Sequence, residues 1–358
     1  MPSRAQEAHE KRIAQSVIES LDDKKLLESR DFLKKFMEYR GYKKLYTTYI
    51  NGVSNALEYN GDGKIYVQYN LDGTTTGRLS NSSYTGDNGK KMGISFHTLP
   101  REAKYNIRNY VVAPKGYKFI TADVKSMELR IMAHLSKDTN MVNAFNDKVD
   151  LHRFSGSLTF GKPPEKVTAE ERQIAKEVSF LTIYGGTAAT LSKRRGIPLK
   201  KAERIINSWM DGFPGVANYI QKVHSFIYEN GYAYTIFGRR RNLPNIRAPQ
   251  RWIMEGSLRQ GLNFTVQSAA SDTIVSCIIG LDKRLKESGL DAKIVATVHD
   301  SIELVAKEDH VDDTLDLLFD EMVNYPYVRK MFGLEFIVPL EIEVLVGESF
   351  GAGEEVIR

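Results

Sequence analysis

The chain has 358 residues and a formal net charge of +5, with 42% hydrophobic and 27% charged residues. That mixture excludes whole-chain disorder and supplies apolar surface for a sizeable core. The sequence contains nothing near the ~20 consecutive apolar residues of a membrane span, and the single Cys277 excludes intrachain disulfides and a Cys-rich zinc site. At roughly 150 residues per domain, two or three packed units are expected. The polar start MPSRAQEAHEKR lacks the apolar stretch of a secretory signal, so a cytoplasmic location without membrane contact is the expectation. The slight positive excess permits an anionic partner without requiring one.

Residues 3–50 read as helical, with an apolar stripe of Ile13, Val17, Leu21, Leu26, Leu33 and Phe36 that calls for a packing partner. Lys64–Tyr69 alternates and reads as a strand, and the polar, Gly-rich Asn81–Gly93 as a surface loop. Tyr117–Val124 (YKFITADV) is a β-prone run ending at an acid, followed by a helical pattern through Leu135. From about 138 to 235 the pattern is mostly helical, broken near Gly161–Pro164, Gly196–Pro198 and Gly212–Gly215. A further helix is expected over Arg251–Ile279. Strand-like runs follow at Lys293–His299, Ile302–Ala306 and Val338–Val346. Strands flanking a helical insert indicate an α+β chain whose sheet domain is interrupted by a helical lobe.

Asp123 stands where the apolar run FITAD ends, and Asp300 where a β-prone run turns at His299-Asp300. Two carboxylates on neighbouring strand ends can hold Mg²⁺, which prefers oxygen ligands. Taken singly, each reads equally as a turn Asp bonding nearby backbone amides. Arg172, Lys176, Phe180 and Tyr184 recur every four residues in ERQIAKEVSFLTIYGG, so they share one slowly winding helix face. A nucleoside triphosphate laid there would set its phosphates by the two cations and its sugar and base by the aromatics. An ordinary amphipathic helix has the same pattern. Arg259, Asn263 and Gln267 repeat the spacing in SLRQGLNFTVQSAASD. Such donors suit the minor-groove acceptors that every correct base pair presents, although a solvated polar face would look alike. Basic groups cluster at Lys193–Arg195, Lys200-Lys201 and Arg239–Arg241, and Arg78 in TTTGRLS belongs with them. Their functional reading is sequence-independent phosphate binding.

In this order, the segments resemble the polymerase region of the family A DNA polymerases, the bacterial DNA polymerase I group. The resemblance runs from about Glu38 to Gly351. DVKSMELRIMAHLS is similar to the first catalytic motif, RQIAKEVSFLTIYGG to the fingers-helix motif and TVHDSIEL to the palm-hairpin motif. TTTGRLS and the Arg259/Asn263/Gln267 stripe match further signatures. The resemblance implies a right-hand architecture: residual thumb helices at 1–60, palm at 61–137 and 251–358, and fingers at 138–250. It implies a replication enzyme that extends a primer on a DNA template with dNTPs. Asp123 and Asp300 would be the catalytic carboxylates and, with the Val124 carbonyl, the ligands of two Mg²⁺ ions, Mn²⁺ being a substitute. Arg172, Lys176 and His152 would contact the triphosphate, Phe180 the sugar and Tyr184 the templating position. Glu128 would act as a steric gate against a ribose 2′-hydroxyl, since related single-subunit RNA polymerases have a small residue there. Arg78, Arg259, Asn263, Gln267 and His299 would contact DNA.

The sequence also departs from the family pattern. Ser301 follows Asp300 where the family has Glu, and Glu303 on the same strand face is the expected substitute. Ser126, Ser179 and Leu181 replace the family's usual Gln, Asn and Gly, and Ser95-Phe96-His97 stands for an Asn/Gln-rich segment. TTTGRLS begins at Thr74, leaving room before it for only the last thumb helices. The expectation is a truncated thumb and no proofreading in this chain: either it is a minimal polymerase, or a separate polypeptide docked on the stripe at 13–36 supplies thumb and exonuclease. The alternatives are a ribonucleotide-using polymerase of the same superfamily and a non-catalytic DNA-binding subunit derived from a polymerase.

Overall fold

A computed structural model describes residues 27–87, 89–100, 107–350 and 352–358. Of the N-terminal stripe, Ile13, Val17, Leu21 and Leu26 lie outside the described residues. The chain divides into two compact units, Met1–Tyr69 with Asn81–Ser95, and Asn70–Ser80 with Phe96–Arg358.

In the first unit, α1 (Leu27–Lys44) runs through a π-helical turn, Leu45–Ile50, into α2 (Asn51–Asn60). Gly61, with φ +68, stops the helix. The helical span thus extends ten residues beyond the expected break at Asn51. Along it Phe32, Phe36, Tyr39, Tyr46 and Ile50 are 44–66% exposed. The expected loop at 81–93 contains a small hairpin pairing Tyr84–Thr85 with Lys91–Met92, closed by Gly86 accepting from the Gly89 amide. Met92 and Ile94 are buried, an inward signal hidden among polar neighbours. Of Lys64–Tyr69, only the end belongs to a strand, Gln68–Asn70.

The second unit is built on a five-stranded antiparallel sheet. Its strands are β1 (Tyr117–Val124), β2 (Ala292–Val298), β3 (Ser301–Lys307), β4 (Ile342–Ser349) and β5 (Ala352–Val356), ordered β5-β4-β1-β3-β2. The β-branched and aromatic residues of β1 alternate well enough to bury Ile120, Ala122 and Val124. β4 starts later than the apolar run from Val338, because Pro339 has no amide to give a ladder and its carbonyl is taken by Arg130.

Helices follow β1 in the expected order. They are α3 (Met127–Ser136), α4 (Thr139–Asn146), α5 (Leu151–Phe160), α6 (Ala169–Ile183), α7 (Ala188–Arg195), α8 (Leu199–Gly212) and α9 (Pro214–Asn230). The breaks fall at the Gly/Pro clusters: Gly161 and Gly196 are left-handed caps and Pro214 opens α9. α6 starts from a reciprocal cap in which Thr168 and Glu171 satisfy each other's backbone amides. A short hairpin, Tyr232–Tyr234 with Arg240–Asn242, leads to α10 (Arg251–Ser288), longer than expected and ended by Gly289 at φ +73. An 18-residue window of α10 reaches a mean hydropathy of 1.3, yet 72% of it is buried, which marks the core helix on which the sheet and helical lobe pack. One apolar cluster joins Ile120 of β1, Leu129 of α3, Val178 of α6 and Leu262 and Ile274 of α10. The chain is therefore an α+β protein with an antiparallel sheet and a helical insert.

Candidate active site

Strand pairing brings the two acids together. Asp123 at the end of β1 lies opposite Ser301 of β3, and the Val124 amide donates to the Asp300 carbonyl at 3.3 Å. Asp300 occupies the two-residue turn between β2 and β3, beside His299 at φ +61, a left-handed conformation that costs a non-glycine residue. The His299 ring stacks on His97 at 4.9 Å, whose Nε2 lies 3.1 Å from the Thr297 carbonyl.

A cleft of about 400 Å³ opens above this turn. It is lined by Asp123, Val124, His299 and Asp300 from the sheet, Glu128 from α3, Lys176, Phe180 and Tyr184 from the α6 face, and Arg78. Residues far apart in sequence thus meet in one cleft, and of the four-residue stripe Arg172 alone is missing from its lining. Glu128 is the hub. Arg78 Nη2 donates to Glu128 Oε1 at 2.7 Å and lies 3.4 Å from Asp300 Oδ1. The Tyr184 hydroxyl donates to the other Glu128 oxygen. Burial pushes the Glu128 carboxyl above its ordinary range; Arg78 opposes that shift and Asp300 adds to it.

Arg172 and His152 line an adjoining cavity of about 260 Å³, with Lys125, Ser126 and Asp150. Asp150 caps α5 through the amides of His152 and Arg153 at 3.0 and 3.1 Å, and accepts from Arg172 Nε at 2.7 Å. Burial acts to raise the Asp150 carboxyl, but Arg172 and the two amides outweigh it and leave it below its usual value. His152 is lowered to about 4, by burial first and then by Lys176 and Arg172. The ring is therefore neutral at neutral pH, and its buried Nδ1 has no partner.

The α10 stripe behaves less uniformly. Arg259, Asn263 and Gln267 are half-buried, and only Gln267 hydrogen-bonds Glu128. Asn263 keeps a buried Oδ1 without a partner. Arg259 packs under the turn after α6, where a Cβ on Gly185 (φ +68) would sit 2.7 Å from Arg259 Cγ. None of the three lines the cleft.

Glu303 differs from its expected role. It shares a sheet face with Ser301, as the period of two requires, but it is 0% exposed. One oxygen accepts from Thr121 Oγ1 and the other meets Ser301 Oγ, both at 2.6 Å. It lies below Asp123 inside the sheet layer rather than in the cleft, so it is not placed to ligate an ion alongside Asp300. Burial pushes it up to about 7.

Ser126, Met127 and Val298 also line the cleft without any sequence signal for it. Ser126 adopts φ +55 at the β1–α3 junction, which a small hydroxyl residue tolerates better than a branched one. Among the described residues no cluster of three His, Cys, Asp or Glu side chains could hold a metal ion. Besides Glu128, which is taken up by Arg78 and Tyr184, the cleft offers the Asp123 and Asp300 carboxylates and the backbone of Val124, whose oxygens are hard donors. That set fits Mg²⁺, which is typically held by one or two carboxylates with water and substrate phosphates completing the shell.

Comparisons with known proteins identify the family. A family model described as DNA polymerase family A matches residues 2–352. The chain is 35% identical over 317 residues to DNA polymerase I of Pseudomonas aeruginosa, covering 88% of this chain and 33% of that protein. It is 31% identical to the thermostable DNA polymerase I of Thermus aquaticus, covering 92% of this chain and 37% of the relative. The chain thus spans about a third of the length of these relatives. Among solved structures, the POL domain of Pol1 from M. smegmatis, in complex with DNA primer-template and dNTP, superposes with a TM-score of 0.82. Identity there is 30%, over 96% of this chain and 56% of that one. The family model's match along nearly the whole sequence, with relatives above 30% identity, places this chain in DNA polymerase family A.

Proposed function

We propose that the chain catalyses template-directed DNA synthesis, adding dNTPs to the 3′ end of a primer without reading sequence itself. The observation that carries this reading is the single cleft shared by Asp123, Asp300, Glu128, Lys176, Phe180 and Tyr184. A pure binding module would not need two acids on adjacent strand ends facing a cationic and aromatic helix face.

In this reading residues 61–137 and 251–358 serve as palm, 138–250 as fingers and 1–60 as thumb. Asp123, Asp300 and the Val124 carbonyl hold a pair of Mg²⁺ ions, for which Mn²⁺ would substitute. Bound there, the ions would lower the pKa of the primer hydroxyl and stabilise charge on the leaving pyrophosphate. Lys176 and Arg172 balance the triphosphate charge, Arg172 exchanging Asp150 for phosphate, and neutral His152 supplies a ring N–H donor. Phe180 packs against the sugar, and Glu128, fixed by Arg78 and Tyr184, fills the space of a 2′-hydroxyl. Arg78, His299, Arg259, Asn263 and Gln267 contact the primer–template along the minor groove, where purine N3 and pyrimidine O2 accept from any correct pair. Closure of the fingers on a matched nucleotide would complete these contacts. The exposed aromatic residues of α1 support packing of a further polypeptide on that face, and the bacterial relatives support a cytoplasmic location.

The test is extension of a labelled primer–template by the purified chain with Mg²⁺ and dNTPs, beside Asp123→Asn and a parallel reaction with rNTPs. Extension that is lost in the variant and weak with rNTPs supports the proposal. Preserved extension in Asp123→Asn refutes it.

A further inference from the structure

Arg78 reaches the catalytic carboxylates from a loop, and the loop is held by groups that no part of the proposed mechanism uses. Its backbone turns at Gly77, φ +72, with Thr74 Oγ1 donating to the Arg78 carbonyl at 2.7 Å. The Gly77 carbonyl accepts from Ser271 Oγ of α10 at 3.1 Å. The space a side chain would take at Gly77 is filled by the guanidinium of Arg239, whose Cζ, Nε and Nη1 would lie 2.9, 3.0 and 3.2 Å from an added Cβ. That guanidinium is itself fixed. Its Nε donates to both oxygens of Asp272 at 3.1 Å, and its Nη2 to Oδ1 at 2.7 Å. Asp272 is 9% exposed and adjoins Ser271 on α10.

We infer that the Arg239–Asp272 pair, with Ser271, is a positioning device that seats Gly77 and so aims Arg78 at Glu128 and Asp300. The physical argument rests on shape and on rigidity. A planar guanidinium held through a fork against a buried carboxylate presents a flat plate to the Gly77 α-carbon, and a lysine ammonium has neither the plane nor the fork. Ser271 grips the same peptide through its carbonyl, from the adjacent position on a core helix. Arg78 therefore leaves a backbone fixed by two consecutive residues of α10, one acting directly and one through Arg239. A placement error of ~1 Å at a reacting centre costs on the order of a hundredfold in rate, which is the scale on which such a seat matters. Arg239 does not line the cleft; its effect passes through Arg78.

The inference rests on the polymerase reading, and the experiment separates the two. Single-nucleotide incorporation is measured for the unmodified chain, Arg239→Lys, Arg78→Ala and the double variant, each with its melting temperature. Arg239→Lys is expected to lower kcat/KM by on the order of tenfold or more, with little change in melting, and to add no further loss in the Arg78→Ala background. An equal loss in both backgrounds overturns the inference, as does an unchanged rate. Hydrogen exchange at residues 74–80 gives a readout independent of activity, and faster exchange confined to that loop in Arg239→Lys is expected. If the unmodified chain fails to incorporate nucleotides, the polymerase reading falls. Unchanged exchange in Arg239→Lys would then overturn the positioning role separately.

Discussion

Replacing Glu303 by Gln should stabilise this protein at alkaline pH and leave it unchanged at acid pH. Glu303 is fully buried, and burial decides which protonation state it favours. Ser301 Oγ has one proton and two acceptors in reach, the Val298 carbonyl at 3.0 Å and Glu303 Oε1 at 2.6 Å. Ser301 and Thr121 both donate to the Glu303 carboxyl and favour its charged form, but burial outweighs them. Burial raises the carboxyl from 4.5 to about 7. A carboxyl raised in the folded state contributes stability that is full below its unfolded value and is lost as pH climbs through the folded value. Here the window runs from about 4.5 to about 7, and at about 1.4 kcal/mol per unit the loss approaches about 3.5 kcal/mol above pH 7. Glutamine keeps the neutral pattern, accepting from Thr121 and donating to Ser301, with no charge to bury. Urea midpoints of the two proteins, taken without divalent ions from pH 4.5 to 8.5, should therefore coincide at the acid end and separate as pH rises. Parallel curves, or a variant less stable than the parent at pH 8, would refute the argument.

Glu128→Ala should raise rNTP use relative to dNTP by on the order of tenfold or more, since an apolar space rejects an added hydroxyl only weakly; competing incorporation on one template measures it. Phe180→Tyr should increase dideoxynucleotide incorporation, because a hydroxyl on that ring could replace the bond lost with the 3′-OH; unchanged chain termination would contradict this. Gly185→Ala should reduce extension by displacing Arg259, as its Cβ would meet Arg259 Cγ at 2.7 Å in a left-handed backbone at φ +68; an unimpaired rate would show that Arg259 can move without cost.

The parts of the fold visible in the sequence were those set by local chemistry. The strand Tyr117–Val124 and the breaks at Gly161, Gly196 and Pro214 follow from side-chain period and backbone freedom. So does the four-residue spacing that puts Lys176, Phe180 and Tyr184 into one cleft. What local chemistry does not encode is which far segment supplies a partner. Glu303 has the right period to face the site, yet Thr121 lies across from it in the register and consumes its oxygen. The role of Arg239 was hidden inside a basic cluster, because only the packed structure sets its guanidinium against Gly77. Pro339 shortened a strand whose apolar run looked continuous, through a missing amide that composition does not weigh.

The groups expected to meet substrate are paired with the protein's own side chains, and their burial decides which pairs a nucleotide can replace. Arg172 and Asp150 are 36% and 35% exposed, so their pair is worth no more than about 1 kcal/mol in solvent. A triphosphate carries more charge than one carboxylate and can take Arg172 at little cost, while Asp150 retains the amides at the start of α5. The Arg78–Glu128 pair is different, because the Glu128 side chain is only 8% exposed. Removing one partner there would strand a buried charge at a cost of several kcal/mol, so substrate binding should leave that pair in place. Tyr184 donates to the same carboxylate through a neutral hydroxyl, the less costly bond to break. Helix α6 thus carries two exchangeable contacts, Tyr184 in the cleft and Arg172 in the adjoining cavity, while one fixed pair crosses the cleft. On the proposed polymerase reading, nucleotide entry should therefore move α6 while Arg78 and Glu128 keep their pairing.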